Sequence, residues 1–185
     1  MIRNFFKELL VNPYPHAFVD DFLDKDYAKK IQKEILQLDP GLFDRYDNPF
    51  EQKLTLRDKH AFPPCLSSLM NELTCPEFLA RLSKYTGHTL INDQERLYWG
   101  VHVYSPGDKL DVHVDAGFHP VNGRKKQVTL GIYFSDSWLP EYGANLEIWS
   151  GDDAGLVPNV KIYDCVTSIP PLFNRAIVFT CTDNS

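Results

Sequence analysis

Two side chains in the middle of the chain could do chemistry together. His113 and Asp115 stand two residues apart in the run Tyr98-Trp-Gly-Val-His-Val-Tyr-Ser-Pro-Gly-Asp-Lys-Leu-Asp-Val-His-Val-Asp115. Side chains alternate on both sides of Ser105-Pro-Gly-Asp108, which predicts two strands joined by a turn. On the second strand, residues 110–115, Asp111, His113 and Asp115 share one face while Val112 and Val114 point the other way. A neutral imidazole and a carboxylate so placed can converge on one ion. They are two of the three donors of a facial His-carboxylate site, a set that suits non-haem Fe(II) and leaves positions open for substrate and oxygen. A His-x-Asp triplet alone also arises by chance, and a solvated strand face is then the simpler account.

The neighbouring residues change that balance. Tyr104 lies nine residues before His113, with the Pro-Gly turn between them. Downstream come a β-run with Thr129 (Gln127-Val-Thr-Leu-Gly-Ile-Tyr-Phe134) and the segment Gly143-Ala-Asn-Leu-Glu-Ile-Trp149. Together these resemble the 2-oxoglutarate- and Fe(II)-dependent dioxygenases, in particular their prolyl 4-hydroxylase-like branch. The likeness spans residues 90–185, and the lead Pro13-Tyr-Pro-His-Ala-Phe-Val-Asp-Asp-Phe-Leu23 followed by a helix is similar to the entry segment of many such oxygenases.

The resemblance implies a role for each flagged residue. Fe(II) is held by His113, Asp115 and a distal histidine, with no catalytic side chain beyond the ligands. The Tyr104 hydroxyl bonds the cosubstrate 2-oxoglutarate and Thr129 lines its pocket, with ascorbate as an allowed reductant. Taken alone, Tyr104 reads as a core aromatic and Thr129 as plain β propensity. The implied reaction couples decarboxylation of 2-oxoglutarate to succinate with hydroxylation of an unactivated C–H bond, on prolyl residues of a protein or peptide or on a small molecule. The family's distal His follows a strand like 175–185, yet no histidine lies beyond His119. The expectation is therefore a C-terminally truncated oxygenase that binds iron weakly and turns over poorly. Two alternatives remain open: a catalytically inactive jelly-roll binding domain, or a cupin-like metal-binding protein. The latter would want two histidines one residue apart followed by a glutamate.

The elements that must position these residues divide near residue 90. Residues 1–12 read as a short amphipathic lead, stopped by Asn12-Pro13-Tyr14-Pro15. A strand is expected over 16–23, then a helix capped by Asp24 and running to Leu38, with Tyr27, Ile31, Ile35 and Leu38 on its apolar stripe. Residues 39–64 are rich in Asp, Pro and Asn and read as loop. Helices follow over 66–73 and 76–85, the second opened by Pro76 and stopped by Gly87. Strands are expected over 96–104, 110–115, 127–135, 145–149, 160–164 and 175–182, with exposed loops at 136–142 and 150–158. The fold class is thus mainly β with N-terminal helices (α+β). It is a single oxygenase-like domain over 1–185, with helical support over 1–89 and a double-stranded β-helix, or jelly-roll, core over 90–185 that lacks its last strand.

Composition excludes several classes. With 185 residues the chain can close one core. Nineteen Lys and Arg against 25 Asp and Glu give a net charge of −6, which disfavours a nucleic-acid partner. Arg124-Lys125-Lys126 reads as a solvated loop. Cys65, Cys75, Cys165 and Cys181 are scattered with no Cys-x-x-Cys pair, as expected of thiols in a reducing compartment. His102 shares a strand face with Tyr104, His119 reads as a loop residue, and His16, His60 and His88 show no partner spacing. Trp99, Trp149, Tyr133 and Phe134 read as core. No signal peptide or membrane span is legible, so a cytoplasmic protein with no membrane partner is expected, able to self-associate through an exposed sheet edge.

Overall fold

The computed structural model describes residues 1–93, 99–115, 117–153 and 161–182. In chain order its elements are β1 (His16–Val19), α1 (Lys25–Leu36), β2 (Asp44–Asn48), β3 (Glu51–Leu56), α2 (Pro64–Leu73), α3 (Pro76–Thr86), β4 (Val101–Val103), β5 (Val128–Ile132), β6 (Leu146–Asp153), β7 (Lys161–Ile169) and β8 (Ala176–Thr180). All strand pairs are antiparallel. The chain divides into two compact units that are interleaved in sequence: Met1–Asn4 with Asp21–Asp111, and Phe5–Asp20 with Val112–Ser185.

In the first unit Asp24 caps α1 by accepting from the Tyr27 amide at 3.1 Å, satisfying one of the orphan donors of the first turn. The helix α2 begins after Pro63, which offers no side-chain cap. Glu34 of α1 supplies one instead, accepting from the Cys65 amide at 2.9 Å and the Leu66 amide at 3.3 Å. Tyr27 adds a bond from its hydroxyl to the Cys65 carbonyl. Phe22, Leu23, Ala28, Ile31, Leu66, Leu69, Phe78 and Leu82 are buried, so the apolar stripes of the three helices enter the core. Gly87 ends α3 at φ 75°, a left-handed stop that glycine adopts without strain. The sheet of this unit runs β2-β3-β4.

The second unit holds a sheet in the order β1-β8-β5 and a two-stranded sheet β6-β7. They face one another through Ile148, Ile169 and Ile177, with Tyr14, Tyr133, Leu146 and Phe179 packed around them. Two antiparallel layers closing on one apolar seam are the sandwich that the jelly-roll class requires. Arg175 anchors β8 to β1, donating to both oxygens of Asp20 at 2.6 and 2.9 Å while its guanidinium lies over the Phe18 ring.

Several local expectations are corrected. Residues 1–12 form no helix; they extend and bridge at Ile2–Leu23 and Leu10–His16. Residues 39–64 are not a loop throughout, because Asp44–Asn48 and Glu51–Leu56 pair as a hairpin. Every residue of β2 is exposed, so it carries no apolar alternation to read. The strand expected over 110–115 does not form. Leu110 makes one isolated bridge to Glu51, and Val112 and Val114 are 58% and 49% exposed, so neither face of the segment is buried and no ladder holds it. The strands around 150 and 160 are longer than expected, β6 reaching Asp153 and β7 Ile169. Residues 96–98, 154–160 and 183–185 of the expected strands and loops lie outside the described residues. Among the described residues no helix is long and apolar enough to cross a membrane, and the four cysteines are free thiols.

Candidate metal centre

In the second unit β5 pairs along its length with β8, and this ladder fixes Thr129 opposite Phe179. From that position the Thr129 hydroxyl donates to Asp115 Oδ2 at 2.5 Å. Between Asp115 and β5 the chain doubles back. The Lys126 amide donates to the Gly117 carbonyl, Phe118 bridges Lys125, and the His119 amide donates to the Arg124 carbonyl. The turn is closed by Gly123 at φ 68°, a conformation suited to the Asn-Gly pair found there. This folding-back returns Lys126 to Asp115, and its Nζ lies 2.6 Å from the same Oδ2.

Asp115 therefore has two unlike oxygens. Oδ2 takes two donors, whereas Oδ1 lies 3.9 Å from His113 Nε2. Burial by itself raises the Asp115 carboxyl pKa. The hydrogen bonds from Lys126 and Thr129, with the charges of Lys126 and His113, outweigh it and hold the group below the usual aspartate range. The half-exposed His113 and the less exposed Asp115, with side-chain exposures of 48% and 27%, form an accessible pair of donors.

Tyr14 and a thiol border the carboxylate. Burial first, then the charges of Asp115 and Cys181, raises the Tyr14 pKa. Cys181 lies 3.4 Å from the Thr129 hydroxyl, and burial pushes its thiol up. On the same strand face as Thr129, Tyr133 is pushed up to about 12 by burial, so it stays a neutral phenol.

Tyr104 belongs to the first unit, one residue past β4 and 40% exposed. The turn that follows it is fastened to β2. Asp108 accepts from the Ser105 amide at 2.8 Å, and Arg45 donates to both its oxygens at 3.0 and 2.6 Å. His102, on β4, lies 3.5 Å from Lys53 Nζ.

Of the four flagged site residues, His113, Asp115 and Thr129 come together within one unit, and Thr129 touches the carboxylate itself. Lys126 was legible only as part of a solvated basic loop. It is in fact bound to Asp115, with a side chain 22% exposed. Asn122-Gly123 was the readable signal, since a hairpin turn there returns residues 124–126 toward 115–117. His119 organises that turn: it is buried, and its Nδ1 accepts from the Val121 and Asn122 amides.

Residues 99–185 match the model of the 2OG-Fe(II) oxygenase superfamily. No curated protein matches the chain in sequence. Among solved structures it is similar to a prolyl hydroxylase from Trichoplax adhaerens, in complex with a hypoxia inducible factor oxygen degradation domain peptide fragment. That match has a TM-score of 0.57 at 12% identity and covers 91% of this chain and 74% of the other. The likeness to the 2OG-Fe(II) oxygenase superfamily is carried by residues 99–185, and the fold is prolyl hydroxylase-like.

Proposed function

We propose that the chain is a 2-oxoglutarate- and Fe(II)-dependent dioxygenase that hydroxylates prolyl residues of a peptide or protein. The observation that carries the reading is the meeting of His113 Nε2 with Asp115 Oδ1 at 3.9 Å, beside a carboxylate already fixed through its other oxygen. An imidazole and a carboxylate fit Fe(II) in donor chemistry, and the two atoms are close enough for one ion to touch both. Among the described residues no third His, Cys, Asp or Glu joins them, so the pair supplies part of a donor set. His113 and Asp115 would hold the metal. Bound with 2-oxoglutarate, Fe(II) supplies the oxygen activation that no side chain provides.

The chain's own residues have separable tasks. Thr129 orients Asp115 by occupying Oδ2, which leaves Oδ1 as the donor oxygen. Its hydroxyl proton is committed there, so its methyl group is what remains to line a cosubstrate pocket. His113 must offer a neutral Nε2 lone pair, with the ring proton on Nδ1. On the family resemblance, Tyr104 would be the phenolic donor to a carboxylate of 2-oxoglutarate. A peptide substrate is supported by the fold shared with a prolyl hydroxylase whose structure holds a peptide.

Anaerobic titration with Fe(II) tests the reading. A weak visible charge-transfer band is expected only with Fe(II) and 2-oxoglutarate together, and it should vanish in His113→Ala while circular dichroism is unchanged. Succinate release stimulated by proline-containing peptides, and not by free amino acids, is the expected substrate result. No band with both additions would sink the dioxygenase reading, and stimulation by small molecules alone would sink the peptide one.

A further inference from the structure

The ammonium of Lys126 stands where a metal site would least favour one. It sits 2.6 Å from Asp115 Oδ2, with both side chains mostly withdrawn from solvent. Its position is not incidental: the Lys126 amide is tied to Gly117, and β5 begins two residues later. The same oxygen takes the Thr129 hydroxyl, so Lys126 is not needed to satisfy a lone hydrogen-bond vacancy. What it adds is charge. A half-buried carboxylate with no cation beside it is costly, and Lys126 removes that cost in the protein without metal. A divalent ion on Oδ1 and His113 would remove the same cost and would feel the nearby ammonium as a like charge.

We propose that Lys126 is the resident counter-cation of this site, so that metal binding at His113 and Asp115 is a competition with a side chain of the same chain. The inference rests on the assignment of His113 and Asp115 as ligands. It makes Lys126 a charge-compensating residue with opposite effects in the two states: stabilising without metal, and weakening metal affinity. A merely structural ion pair would have the first effect only.

The full chain titrated with Mn(II) by calorimetry, with its melting temperature followed in parallel, tests the proposal. Lys126→Met keeps the length of the side chain and removes its charge. Without metal its Tm should fall by about 3–6 °C, while its Mn(II) dissociation constant should tighten about tenfold or more. Lys126→Arg, which keeps the charge, should stay near the parent in both. Lys126→Gln, which keeps a donor for Oδ2, should also bind Mn(II) more tightly and covers the case in which the Met variant does not fold. His113-dependent Mn(II) binding that is unchanged or weaker in the Met and Gln variants overturns the inference and leaves the ligand assignment standing. Parent binding that His113→Ala does not affect overturns both.

Discussion

At the scale of single residues, Asp115 has two unlike oxygens, Oδ2 holding the Thr129 hydroxyl and Lys126 and Oδ1 facing His113 Nε2. Thr129 makes the contact that separates them, so Thr129→Val, nearly isosteric, isolates one hydrogen bond. A bond to a charged acceptor contributes about 1.5–3 kcal/mol, and the variant should lose about that much in urea unfolding at neutral pH. A loss below about 0.5 kcal/mol would mean that Lys126 alone holds the carboxylate. His113 and Asp115 were flagged by residue type and spacing, and Thr129 by the family resemblance. The partnership of Thr129 with Asp115 was not, since it depends on how far β5 slides along β8, and register is invisible in one strand's sequence. Lys126 was missed for a related reason. Three adjacent basic residues look alike in sequence, and only the hairpin closed at Asn122-Gly123 singles out the one that reaches the acid.

At the scale of elements, legibility followed the strength of each local signal. The helices α1, α2 and α3 were readable because their apolar stripes are periodic and Asp24, Pro76 and Gly87 mark ends of the first and third. The β2–β3 hairpin was not, because β2 is exposed along its whole length. Within its own unit it pairs with β4, bridges Leu110, and through Arg45 fixes the turn after Tyr104. The Arg45 hydrogen bond, then the Ser105 amide, holds the Asp108 carboxyl below its ordinary value of 3.8. A carboxyl depressed by folding adds stability that is complete above its unfolded value and is lost as the pH falls through the lower folded one. Arg45→Leu should move the Asp108 titration, followed by carboxyl carbon NMR, back toward the ordinary value. Stability should then fall at neutral pH, with the gap to the parent closing as the pH falls through the depressed folded value of Asp108. An Asp108 that titrates equally low in both proteins would show that the Ser105 amide suffices.

At the scale of the whole molecule, the segment that matches the family and the segments that fold are different sets of residues. The match covers 99–185, yet β8 lies between β5 and β1, and β1 comes from residues 16–19. Likewise β4 pairs with β3, residues 51–56. Cut away from residues 1–98, β8 would lose four paired positions and become an edge with unmet backbone groups. Buried Arg175, 7% exposed, would lose Asp20, and an unpartnered buried cation is costly. Ala176 and Val178, buried in the native sheet, would lose the cover that Ala17 and Val19 give across the ladder. A protein consisting of residues 99–185 alone should therefore be poorly soluble, bind a hydrophobic dye, and lack a cooperative melt. The full chain should show near-ultraviolet dichroism and a sigmoidal transition. Adding residues 5–20 as a separate peptide should recover part of the dye signal by supplying β1 to the β8 edge. A sharp melt from 99–185 alone would show that β5, β6, β7 and β8 hold the candidate centre together without β1.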